Sequence, residues 1–127
     1  MDRLRALVAE DDPETIELVS EIVDQFGADV TRAPTGQELL TRVCDDAPYD
    51  FIVADVAMPW LLAVQIVRVP VVVMTALREP KIADQVYALG EHATLLFKPF
   101  TFEELVSALQ TCVRDVEDRR LDDLTAH

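Results

Sequence analysis

Along the chain, apolar runs too continuous for strands with a wet face alternate with segments whose apolar residues recur at helical spacing. Leu4 to Ala9, Ala28 to Arg32, Phe51 to Ala54, Val71 to Met74 and Thr94 to Phe97 are runs of the first kind. Pro13 to Phe26 is of the second, with Ile16, Val19, Ile22, Val23 and Phe26 on one face, proline in the first turn and Gly27 past the end. Thr35 to Asp46 carries Leu39, Leu40 and Val43 at the same period, Lys81 to Leu89 is stopped by Gly90, and Phe102 opens a long final helix. Strands that alternate with helices and are apolar along their whole length predict parallel β-structure buried on both faces. The fold class is therefore α/β, with helices on both faces of a five-stranded parallel sheet. No repeat, low-complexity tract or linker divides residues 1–127, so they form one domain.

Two helix starts are legible as caps. Asp12 before Pro13 is placed to accept from the first-turn amides, and Thr101 with Glu104 has the spacing of a capping box. The final helix keeps Phe102, Leu105, Val106, Leu109, Cys112, Val113 and Val116 on one stripe, with Leu121 and Leu124 further along. The core is expected over about residues 4–116. Residues 117–127 either extend the helix, reaching a dimer partner, or fray as an acidic tail.

Composition adds two constraints. Half of the residues are hydrophobic but only 6% are aromatic, so the core is built from Val, Leu, Ile and Ala. The formal net charge of −13 argues against direct binding of nucleic acid or an anionic membrane, because phosphates are repelled. Cys44 and Cys112 are too few for a disulfide framework or a zinc site. Both fall among helical apolar positions and are expected as buried, reduced thiols. Residues 1–5 lack the character of a leader, and no apolar run is long enough to span a bilayer. The expected location is cytoplasmic.

In a parallel sheet of this kind, ligands bind beyond the carboxyl ends of the strands. At those ends stand Glu10-Asp11-Asp12, then Asp55, then Thr75, then Lys98-Pro99. Carboxylates gathered this way repel one another unless a cation neutralises them. A hard divalent ion with oxygen ligands and retained waters, Mg²⁺, suits such a set. An ionised Asp55 can then attack phosphorus, with Lys98 stabilising the transferring oxygens and Thr75 hydrogen-bonding one of them. The residues alone point to an aspartyl-phosphate site.

The same residues resemble a known family. EDD after the first strand, Asp55 followed by Met58-Pro59, VVVMTA and KPF occur in the order found in the receiver domains of two-component response regulators. The resemblance runs from Arg5 to about Val116. It implies the flavodoxin-like strand order 2-1-3-4-5. It also implies that Asp55 is phosphorylated by a histidine kinase or a histidine phosphotransfer protein. Mg²⁺ is then held by Asp11, Asp55 and the backbone carbonyl of Ala57, with Glu10 acting indirectly through water or simply solvated. Thr75 and Lys98 contact the phosphoryl group, and Pro99 matches a proline that is often cis. Such a domain is a switch, not an enzyme in the ordinary sense, although it assists its own phosphoryl transfer and slow dephosphorylation. Its output passes to a downstream effector protein or effector domain. A homodimer through the face of the fourth helix, fifth strand and fifth helix is compatible with the pattern.

Three departures from the family pattern stand out. Only WLLAVQIVRV separates Pro59 from Pro70, and since a parallel crossover needs about a dozen residues or more, the third helix is expected to be shortened. The position usually held by Tyr or Phe, three residues before the lysine, is Leu95. Ala57 and Leu77 stand two residues beyond Asp55 and Thr75, and neither can hydrogen-bond an attacking water, which suits a long-lived phosphorylated form. These departures keep a second reading open, a degenerate receiver serving as a phosphorylation-independent interaction or dimerisation module. A phosphohydrolase of the haloacid dehalogenase type is disfavoured, because Ala57 stands where its general acid would be. His92 is read as a solvated turn residue, and Trp60 as a cover for the short loop or part of a partner surface.

Overall fold

In the computed structural model, residues 3–45, 48–55, 69–76, 84, 86 and 93–125 are described, without the side chains of residues 119 and 122–125. Five strands, β1 (Leu4–Ala9), β2 (Ala28–Ala33), β3 (Phe51–Asp55), β4 (Val71–Thr75) and β5 (Ala93–Phe97), form one sheet. Its order is β2-β1-β3-β4-β5, and every neighbouring pair is parallel. Three helices lie among the described residues: α1 (Pro13–Phe26), α2 (Gly36–Asp45) and α3 (Phe102–Thr125). Asp84 and Val86, from the expected helix over Lys81 to Leu89, are helical; the rest of that segment and the expected short third helix lie outside the described residues.

Alternation along each strand sends successive side chains to opposite faces. Ala6, Val8, Phe51, Val53, Val72, Met74 and Leu96 join one core with Ile16, Val19 and Val23 of α1 and Leu105, Leu109 and Cys112 of α3. Leu7, Ala9, Ile52, Ala54, Val71 and Val73 join the other with Leu39 and Val43 of α2, Tyr49 and Val86. Helices therefore cover both faces. β3 and β4 are buried along their whole length, as an inner parallel strand must be. The edge strands β2 and β5 remain half-exposed, because each has a neighbour on one side only.

The caps follow the sequence. Asp12 accepts from the Thr15 amide at 3.0 Å and also receives the Thr15 hydroxyl. The Thr101 amide donates to Glu104 at 3.0 Å, and the Glu104 amide returns a bond to the Thr101 hydroxyl at 3.1 Å, closing the capping box. Gly27 ends α1 at φ 121°, a left-handed conformation that only glycine adopts without strain.

Three expectations need correction. Leu40 is exposed although Leu39 and Val43 are buried, since α2 buries a narrow stripe and a neighbouring residue lies about 100° round the helix. Cys44 is exposed for the same reason, being one residue past Val43, while Cys112 is buried. Burial, with the charge of Asp115, pushes the Cys112 thiol up to about 12, so that sulfur is a core atom without thiolate character. Phe102 is also exposed; the first turn of α3 is given to capping, and the buried stripe begins at Leu105. Past Val116 the helix does continue to Thr125, with Leu121 exposed.

Candidate functional site

The parallel register brings the chain reversals after β1, β3, β4 and β5 to one edge of the sheet. Ala9 pairs with Ala54, and Asp55 with Met74, so Glu10 and Asp55 emerge side by side. Thr75 pairs with Phe97, which places Lys98 next in line, and the Lys98 amide donates to the Thr75 carbonyl at 2.7 Å. The Lys98–Pro99 peptide is cis.

Lys98 Nζ donates to Asp55 Oδ2 at 2.7 Å and to Glu10 Oε2 at 2.8 Å. The Glu10 side chain is only 1% exposed and that of Asp55 11%, so the ammonium bridges two nearly buried carboxylates. Burial holds the Glu10 carboxyl above its ordinary range, against the opposing pull of the Lys98 ammonium. Burial also disfavours the charged form of Lys98, but the hydrogen bonds to Asp55 and Glu10 outweigh it and keep its pKa above the usual lysine value. Glu10 Oε1 accepts from the Asp12 amide at 3.2 Å, which fixes the carboxylate plane. The reading of Glu10 as a simply solvated residue is thereby overturned: it is buried and directly bonded to Lys98.

Asp11 is exposed and completes the acidic group. One oxygen from each of Glu10, Asp11 and Asp55 lies within 4.8 Å of the others, a spacing that suits a hard cation with water filling the remaining positions. Asp12 is turned away as the cap of α1, and its hydrogen bonds to Thr15 lower its carboxyl pKa. Thr75 is fully buried at the end of β4. Leu95 is half-buried and packs against the Val73 core. Ala57, Leu77, Trp60 and His92 lie outside the described residues.

One part of the site was not read from the sequence. A groove of about 350 Å³ opens beside Lys98, lined by Thr15, Leu18, Ala76, Pro99 and Phe100. Leu18 is 52% exposed, off the buried face of α1. The signal was present as an apolar residue outside the stripe of Ile16, Val19 and Val23, but its neighbours across the groove come from distant segments.

A parallel sheet of order β2-β1-β3-β4-β5 with clustered carboxylates and a lysine at its carboxyl edge is the architecture of a signalling receiver domain. The family model of the response regulator receiver domain matches residues 6–110, and the chain belongs to that family. It is 30% identical over 124 residues to the DNA-binding response regulator MtrA of Mycolicibacterium smegmatis, covering 91% of this chain and 53% of that protein. It is 31% identical over 120 residues to the response regulator MprA of Mycolicibacterium vanbaalenii, covering 87% of this chain and 51% of the relative. The chain thus spans about half the length of these curated relatives. Among solved structures, the chemotaxis response regulator CheY4 of Vibrio cholerae superposes with a TM-score of 0.74 at 28% identity, over 86% of this chain and 98% of that one. Among the described residues, no helix is long and apolar enough to cross a membrane.

Proposed function

We propose that the domain is a phosphorylation-dependent switch in which Asp55 accepts a phosphoryl group from a phosphohistidine of a histidine kinase or a phosphotransfer protein. The observation that carries this reading is the nearly buried Asp55 carboxylate hydrogen-bonded to Lys98 beside Glu10 and Asp11. In the transfer, Asp55 forms an oxygen–phosphorus bond as the histidine nitrogen–phosphorus bond breaks, and the leaving imidazole nitrogen is left to take up a proton. Lys98 holds the acceptor oxygen in place beforehand and offers its charge to the phosphoryl oxygens during transfer. Thr75 hydrogen-bonds one of those oxygens in the product.

Asp11 and Asp55 would hold Mg²⁺, with Glu10 beside them acting indirectly and the Ala57 carbonyl, which the family resemblance implies, as a further ligand; the ion would supply neutralisation of the acidic cluster and of the incoming phosphoryl charge. Phosphorylation adds about −1.5 to −2 charge. Near Lys98 this draws the ammonium away from Glu10 and biases the strand ends that hold it. The output goes to a downstream effector protein or to an effector domain joined to the receiver, as in relatives twice as long.

The second reading, a phosphorylation-independent interaction module, is favoured by Leu95, whose side chain packs on the core and has no hydroxyl to reach a partner. Intact-mass spectrometry after incubation with acetyl phosphate and Mg²⁺ separates the two. The expected outcome is a single phosphoryl adduct on the protein and none on Asp55→Asn. A protein that stays unmodified, while a known receiver is phosphorylated in parallel, moves the assignment to the interaction module.

A further inference from the structure

A second cleft lies at the opposite edge of the sheet, remote from Asp55. It has a volume of about 350 Å³ between the start of β1, the turn after α1 and residues 113–120 of α3. That size falls in the range of small-molecule sites. Its floor is apolar: Leu4, Val113 and Val116. Gly27 forms part of the wall, and a Cβ built there would meet nothing within 4 Å, so the wall is open where that side chain is missing.

Among the described residues, three charged groups border this floor: Arg3, Arg120 and Glu117. Both guanidiniums already have carboxylate partners. Arg3 donates from Nε to Asp29 at 2.8 Å, and from Nη2 to Asp24 Oδ1 at 2.9 Å and to the Ala28 carbonyl at 2.9 Å. Arg120 donates from Nη2 to Asp50 at 2.8 Å. Among the described residues, Nη1 of Arg3 and both Nε and Nη1 of Arg120 donate to nothing. Glu117 makes no ion pair among them. Among the described residues, the cleft therefore has at its rim two guanidiniums with N–H groups not used in these bonds, the Glu117 carboxylate without an ion pair, and an apolar floor.

The ligand class follows from the charges. A simple anion is disfavoured, because Asp24, Asp29 and Asp50 already neutralise the arginines, Glu117 repels it and the chain carries a net charge of −13. A simple cation meets two guanidiniums. A zwitterion with no net charge escapes both penalties, with its carboxylate on the arginine donors and its ammonium on Glu117. Its apolar body would lie on Leu4, Val113 and Val116. We propose that this cleft binds a small zwitterion of the apolar α-amino acid class.

The test is a titration of the full chain with L-leucine, followed through backbone amide resonances. Saturable shifts confined to Leu4, Gly27, Val113 and Val116 and their neighbours are expected. 4-Methylpentanoate, which lacks the ammonium, and isoamylamine, which lacks the carboxylate, should each bind at least about tenfold more weakly. Arg120→Gln and Glu117→Gln should each weaken leucine by a similar factor. Val113→Phe fills the floor without touching the charged groups, and should abolish binding while leaving the remaining amide spectrum intact. The proposal is overturned by shifts that do not saturate by about 20 mM, a concentration that marks negligible affinity. It is equally overturned by shifts centred elsewhere, or by the acid or the amine binding as well as leucine.

Discussion

The two edges of the sheet are both built on charged side chains, but they place them in different surroundings. At the carboxyl edge Lys98, 22% exposed, bridges Glu10 and Asp55, which are 1% and 11% exposed. At the amino edge Arg3 and Arg120, with side chains 46% and 59% exposed, pair with Asp24, Asp29 and Asp50 at similar distances. Equal distances do not mean equal energies. Charges withdrawn from water lose solvation and depend on each other, whereas exposed pairs are screened and contribute about 0–1 kcal/mol. Among the described residues, the carboxyl edge is thus a pair of nearly buried carboxylates bridged by the Lys98 ammonium, and the amino edge a set of weak, exposed ties at the strand starts.

The largest effect should come from breaking that assembly. Lys98→Ala leaves Glu10 and Asp55 facing one another with no cation between them. Part of the cost is relieved when Glu10, already biased towards its neutral form by burial, takes a proton. A loss of about 2 kcal/mol remains, below the full figure for a buried pair because Lys98 is partly exposed. Urea denaturation at neutral pH without divalent cation measures it. A loss below about 0.5 kcal/mol would place the carboxyl edge in the same energetic class as the amino edge.

The same contrast explains what could be read from the sequence. Asp55, Thr75 and Lys98 were legible because each sits at the end of an apolar run, and the rule for parallel sheets carries such residues to one edge. The strand order needed the family resemblance, since several orders bury these runs equally well. For Glu10 an indirect role and simple solvation stay equal in the sequence, which shows a residue's neighbours in the chain but not the ammonium that arrives from Lys98, on the far side of β4. Leu40, Cys44 and Phe102 were placed too deep for a related reason: helical period gives the direction of a stripe, and its width depends on what the helix packs against. The amino edge was missed altogether. Arg3 and Arg120 stand in polar surroundings at the two ends of the chain, and nothing local marks them as neighbours of one cleft.

A middle-sized effect is expected where the amino edge touches the backbone. Asp50 Oδ2 accepts from the Arg5 amide at 2.8 Å, the Asp50 amide donates to the Arg5 carbonyl at 2.8 Å, and Oδ1 takes Arg120. The side chain therefore pins the start of β1 to the start of β3 as well as tying down α3. Asp50→Ala should cost about 1 kcal/mol, the worth of one ordinary hydrogen bond plus a weak ion pair. The check is again denaturant midpoint, with amide exchange at Arg5 expected to speed up more than at Ala6.

The smallest effect isolates the ion pair alone. Arg120→Gln removes the tie to Asp50 but leaves the bond from Asp50 to the Arg5 amide untouched. At low salt the loss should be about 0.5 kcal/mol, as for other exposed pairs. At 1 M NaCl the screening length falls to about 3 Å, so the difference between wild type and variant should vanish. Under the same salt Lys98→Ala should keep most of its deficit, because Glu10 and Asp55 are shielded from ions by the protein around them. If salt erased both deficits alike, burial would not distinguish the two edges, and the ammonium at the carboxyl edge would have to be treated as another surface charge. If salt erased only the Arg120 deficit, the tie from α3 to Asp50 is an ordinary screened surface pair, while the Lys98 bridge between Glu10 and Asp55 is protected by burial.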